Sequence, residues 1–119
     1  MKFLKIFLII LFSNILLGEY PKRILFVGNS YLYYNDSIHN HVERMLIEHS
    51  EDEDIITKSA TIGGSRLHNH NIEHLLNYNN LQLDRQIDLL IMQGGSKEVA
   101  TLELRSKFSK TAVNFSRKA

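Results

Sequence analysis

The chain has 119 residues, with 14 basic and 13 acidic side chains, six histidines and no cysteine. That length suits one domain, and so even a charge balance gives no electrostatic case for a nucleic-acid partner. With no cysteine, a disulfide framework is excluded and the fold must hold by core packing.

The first segment reads as a leader rather than part of the domain. "MKFLKIFLIILFSNILLG" places Lys2 and Lys5 ahead of an apolar run from Ile6 to Leu17, closed by Gly18. A basic start, an apolar centre and a small exit residue mark a secretory signal peptide. The run is interrupted by Ser13 and Asn14 and falls short of the ~20 residues a membrane span needs. The expectation is an exported protein, periplasmic or secreted, with no stable membrane span after cleavage. The mature domain then covers residues 19–119, with twelve basic side chains against thirteen acidic ones.

After Pro21, "RILFVG" (Arg23 to Gly28) is a short continuous apolar run followed by Gly-Asn, which favours a central strand. Ile38, Val42, Met45 and Leu46 then fall at helical spacing, predicting a helix from Asp36 to His49, with Asn35 or Asp36 as its cap. "EDED" (Glu51 to Asp54) is a solvated connector. "IITKSAT" (Ile55 to Thr61) is a second, β-branched strand ending at Gly63-Gly64. Arg66 to Tyr78 reads as a polar surface helix, although asparagine is a poor helix former. "DLLIM" (Asp88 to Met92) is a third buried strand, stopped by "QGG". Val99, Leu102, Phe108, Ala112 and Phe115 form the apolar stripe of a final helix.

Strand and helix alternate three times, which predicts an α/β fold with a parallel sheet and helices on both faces. A three-stranded sheet leaves long edges, so self-association through the exposed edge is expected.

In such a sheet, ligands bind beyond the carboxyl ends of the strands. The three exits read Gly28-Asn29-Ser30, Gly63-Gly64-Ser65 and Gln93-Gly94-Gly95-Ser96. All are small, polar and rich in backbone donors. Ser30 can act as a nucleophile on an acyl carbonyl or can cap its own turn. The Gly63-Gly64 amides can stabilise an oxyanion or simply form a turn. Gln93 and Ser96 are candidate side-chain donors to the same oxyanion. His70 and His74 stand four apart, as a metal pair on a helix would, but no HExxH motif accompanies them; they read as surface-helix residues. Tyr31, Tyr33 and Tyr34 line a cleft or pack the first loop. No phosphate-binding glycine loop is present, and no residue points to a cofactor or metal.

Taken together, "ILFVGNSYLYYND", "TIGGSRL" and "DLLIMQGGS" resemble the first three blocks of the SGNH (GDSL-type) hydrolase family. Asn29 stands where many members have Asp, and no asparagine occupies the third block. The resemblance implies a three-layer α/β sandwich of flavodoxin-like type, here shortened to about three strands. It implies Ser30 as nucleophile, Gly64 (or Gly63) as an oxyanion amide, and Gln93 or Ser96 in place of the usual asparagine. It also implies a later Asp-x-x-His block that supplies the general base, and the sequence ends before one. The expected function is that of a serine ester hydrolase-like protein acting on a small-molecule ester, acyl or acetyl, including carbohydrate esters. Without its base the serine is a weak nucleophile, so weak or absent turnover is expected. The alternative is a non-catalytic exported protein that binds a ligand or partner.

Overall fold

The computed structural model describes residues 19–119. The segment read from the sequence as a signal peptide, residues 1–18, lies outside the described residues. Among the described residues, three strands form one parallel sheet: β1 (Arg23–Gly28), β2 (Ile56–Thr61) and β3 (Leu89–Met92), in the order β2-β1-β3. All six residues of β1 are buried, as an unbroken apolar run flanked on both sides by paired strands requires. The register pairs Phe26 with Ser59 and Ile91, and Val27 with Ala60 and Met92.

Successive side chains alternate between the sheet faces, and each face has its own cover. Ile24, Phe26 and Leu32 pack with Val42 and Leu46 of helix α1 (Ile38–Ser50). Leu25 and Val27 pack on the other face with Leu67, with Ile72 of helix α2 (Ile72–Leu76), and with Phe108, Ala112 and Phe115 of helix α3 (Leu102–Lys118). The protein is thus an α/β domain whose three-stranded parallel sheet is flanked by helices.

Three local expectations are corrected. The start of α1 is not capped by Asn35 or Asp36. Asn35, Asp36 and Ser37 have φ values of 52°, 66° and 63°, and Ser37 occupies the cap position without a side-chain bond to the helix. Asn and Asp tolerate this left-handed region better than most residues. The turn is held instead from the helix side: Asn40 Nδ2 donates to Asp36 O at 2.8 Å, His41 Nε2 to Asn35 O at 2.8 Å, and Arg44 pairs with Asp36 at 2.9 Å.

The continuous helix from Arg66 to Tyr78 is also absent. A short 3-10 turn at Leu67–Asn69 precedes the five-residue α2. Two asparagines divide it: the Asn69 side chain accepts from the Arg66 backbone N–H at 2.8 Å, and Asn71 accepts from His74 N at 3.2 Å. Such local bonds compete with a continuous helix.

Finally, Val99 and Leu102 are exposed rather than part of the last helix's apolar stripe. Val99 belongs to a 3-10 turn, Ser96–Val99, and α3 begins only after Thr101, whose Oγ1 accepts from Leu104 N at 3.2 Å.

At the opposite end of the sheet, Arg23 is 2 % exposed. Its Nε and Nη2 grip both Asp84 carboxylate oxygens at 2.6 and 2.9 Å, and Nη2 also reaches Asp54 Oδ1 at 2.8 Å. Nη1 donates to the Asp54 and Lys22 carbonyls. Every guanidinium donor is used, the condition under which a buried charge is tolerated. No helix among the described residues is long and apolar enough to cross a membrane.

Candidate functional site

The helix after β1 covers one sheet face and the helix after β3 covers the other. Between neighbouring strands whose connections diverge in this way, a crevice opens at the carboxyl ends. The chain has a cleft of about 350 Å³ there, lined by Asn29, Ser30 and Tyr31 after β1, by Gly64, Ser65 and Arg66 after β2, and by Gly95, Ser96 and Lys97 after β3. Three loops far apart in sequence therefore share one wall. Ser30, Gly64 and Ser96 are brought together. Gly63 is not part of this lining; the Tyr33 hydroxyl lies 3.5 Å from where its Cβ would be.

Ser30 opens a 3-10 turn, Ser30–Leu32, and is half-buried. The cap of that turn is Asn29, not Ser30: Asn29 Oδ1 accepts from Tyr31 N at 3.1 Å. Ser30 Oγ makes no hydrogen bond to another described residue. Gly64 has φ +68° with open space on its side-chain side, a conformation that glycine alone adopts without strain. Ser96 is exposed at the start of its own turn.

Gln93 occupies a different place from that expected of an oxyanion donor. Its Oε1 accepts from Asn29 N at 3.0 Å and its Nε2 donates to Gly94 O. The carboxamide oxygen is thus committed to the first loop, and Gln93 lines not this cleft but an adjoining cavity that shares Tyr31, Gly95 and Ser96 with it.

The supporting polar groups were not evident from the sequence. Asn29 is 4 % exposed and donates from Nδ2 to Ser65 O at 3.1 Å, tying the first loop to the second. Glu98, 3 % exposed, accepts from Leu67 N at 3.2 Å and from Gly95 N at 2.6 Å, tying the second loop to the third. Gly95 sits so close that a Cβ on it would lie 2.9 Å from Ser65 O. His70 is not a surface-helix residue. It is 8 % exposed, precedes α2, and donates from Nε2 to Gly28 O at 2.9 Å, with Ser65 Oγ 3.4 Å away. This contact fixes the neutral tautomer with the proton on Nε2. Burial holds its pKa below the usual histidine value, against the opposing effect of the Gly28 carbonyl.

His70 and His74 do not form a pair: His74 is exposed and its ring contacts Asn80. Among the described residues no three His, Asp or Glu side chains gather as a metal site. The hydrogen bonds made by imidazole nitrogens there are those of His41, His70 and His74, and His68 Nδ1 lies 4.0 Å from Glu98; none of these contacts involves Ser30 Oγ. Tyr31 stands at the cleft, while Tyr33 and Tyr34 pack on each other with ring centroids 5.3 Å apart.

Comparison with models of protein families, with curated proteins and with solved structures returns no match.

Proposed function

We propose that the cleft is an ester-binding site of SGNH hydrolase type, with Ser30 as a slow nucleophile. The observation that carries this reading is the meeting of Ser30, Gly64 and Ser96, from three strand exits, around one cleft. Ser30 Oγ attacks the ester carbonyl carbon. The Ser30 and Gly64 backbone N–H groups, with the Ser96 hydroxyl, receive the developing oxyanion, each such donor contributing on the order of 3 kcal/mol where it is well placed. The carbonyl–alkoxy bond then breaks, the alcohol leaves with a proton from water, and a second water releases the acid from the acyl-serine.

The proton from Ser30 goes to solvent, because none of the imidazole contacts among the described residues involves Ser30 Oγ. Turnover is therefore weak. The same observation favours the second reading, in which the cleft binds an ester-like or acyl ligand without hydrolysing it. The test is hydrolysis of 4-nitrophenyl acetate by the wild-type chain and by Ser30→Ala, across pH 6 to 9. A slow Ser30-dependent rate, rising with pH without a plateau near neutrality, supports the first reading. Equal rates in the two proteins remove Ser30 from the chemistry and leave the binding reading.

A further inference from the structure

The cleft has a charge pattern that an esterase for neutral substrates does not require. Two of its nine lining residues are cations, Arg66 and Lys97, and none is Asp or Glu. They come from different strand exits, Arg66 after β2 and Lys97 after β3, with Ser30 in the same lining. Among the described residues neither joins an ion pair, a state they share with Lys58, Arg105, Lys107, Lys110 and Arg117, none of which lines this cleft. The carboxylate bonded beneath these loops is that of Glu98. It is buried, and two backbone N–H groups hold one of its oxygens. Its other oxygen lies 4.0 Å from His68 Nδ1, an atom with no hydrogen-bond partner. Glu98 does not line the cleft and pairs with neither cation.

An unpaired cation at a polar, half-open cleft raises the local concentration of anions and strengthens their binding. Two cations on two loops can hold an anionic group that neither holds alone. We propose that this cleft selects acyl esters carrying a carboxylate, such as the half-ester of a dicarboxylic acid, with Arg66 and Lys97 receiving the free carboxylate while the ester carbonyl lies at Ser30. The inference rests on the ester-site reading of the same cleft.

The test is separable from catalysis. Wild-type protein is titrated, with backbone amide resonances followed by NMR, against glutaric acid monoamide and against pentanamide. These non-hydrolysable analogues have equal carbon number and differ in the carboxylate. The expected result is shifts at Gly64, Gly95 and Ser96 with the monoamide, and binding about tenfold tighter than that of pentanamide, as two partly exposed ion pairs give. Arg66→Gln with Lys97→Gln should erase the difference, and 0.5 M salt should shrink it. Circular dichroism of the double variant checks its fold, and the wild-type comparison stands whether or not that variant folds. Equal affinity of wild type for the two analogues, or no binding of either, overturns the inference. Ser30-dependent hydrolysis of 4-nitrophenyl pentanoate equal to that of 4-nitrophenyl hemiglutarate also overturns it, yet leaves the ester-site reading intact. Tight monoamide binding without Ser30-dependent hydrolysis of either ester does the reverse: the anion site stands and the nucleophile reading fails.

Discussion

Asn29 Nδ2 donates to Ser65 O at 3.1 Å, joining two strand exits that lie 36 residues apart in the chain. The same side chain caps the turn that presents Ser30, through Tyr31 N. One buried carboxamide thus fixes both the serine's backbone and its distance from the second loop. Asn29→Ala should lower stability by about 1–3 kcal/mol, because it leaves the buried Ser65 carbonyl and the Tyr31 N–H without partners. Asn29→Asp keeps the Tyr31 bond but sets a buried carboxylate oxygen against the Ser65 carbonyl, so it should cost at least as much as Asn29→Ala. Urea denaturation of the three proteins checks the order.

Glu98 joins the other two exits by accepting from Leu67 N and Gly95 N. Glu98→Ala removes the single oxygen that accepts from both N–H groups. Its cost should be about 1–3 kcal/mol, with faster amide hydrogen exchange at Leu67 and Gly95. Gly95→Ala strains the same junction, since its Cβ would press on the Ser65 carbonyl at 2.9 Å. Unchanged exchange at both amides in Glu98→Ala would contradict this role.

The pH dependence of stability has a sign fixed by buried imidazoles. Burial lowers the folded-state pKa of His70, and of His39, below the usual histidine value. The unfolded chain therefore takes up protons first as pH falls. The stabilising effect of keeping these rings neutral is complete above about pH 6.5 and is lost progressively below it. His70→Gln, which can still donate to the Gly28 carbonyl, should flatten the loss between pH 7 and pH 5. Thermal unfolding at stepped pH measures it, and an equally steep profile in the variant would remove His70 as a cause.

Arg23 organises the far end of the sheet. Arg23→Lys keeps a charge but cannot fork onto both Asp84 oxygens and also reach Asp54, so it should cost about 2 kcal/mol. The guanidinium hydrogen bond holds the Asp84 carboxyl down to about 2. A depressed carboxylate contributes stability above its unfolded pKa that disappears as pH falls toward the folded one. In wild type this contribution should be lost between about pH 4 and pH 2, and Asp84→Asn should lack that step in an acid titration followed by circular dichroism.

The strands were legible because each is a dense apolar or β-branched run ended by glycine. Arg23 to Gly28 matches β1 end to end, and the other two differ by one residue at the start. The convergence of Ser30, Gly64 and Ser96 followed from the parallel α/β order. What escaped were groups whose partners are distant in sequence. Nothing local marks Asn29, His70 or Glu98 as buried, because their bonds run to Ser65, Gly28 and Leu67. Gln93 directly follows a strand and reads as a candidate donor alongside Ser96; the bond of its oxygen to the Asn29 N–H has no local signal. The segment from Arg66 to Tyr78 reads as one polar surface helix, and the Asn69 and Asn71 side-chain bonds stand where it is divided.

The central claim is that Ser30 faces the ester site as its nucleophile. The most direct measurement is the intact mass of the chain after prolonged exposure to a fluorophosphonate at pH 8, followed by peptide mapping. One phosphonyl group on Ser30, absent from Ser30→Ala and slowed by excess 4-nitrophenyl acetate, is the predicted result. No adduct, or an adduct on Ser65 or Ser96 with Ser30 untouched, would contradict it.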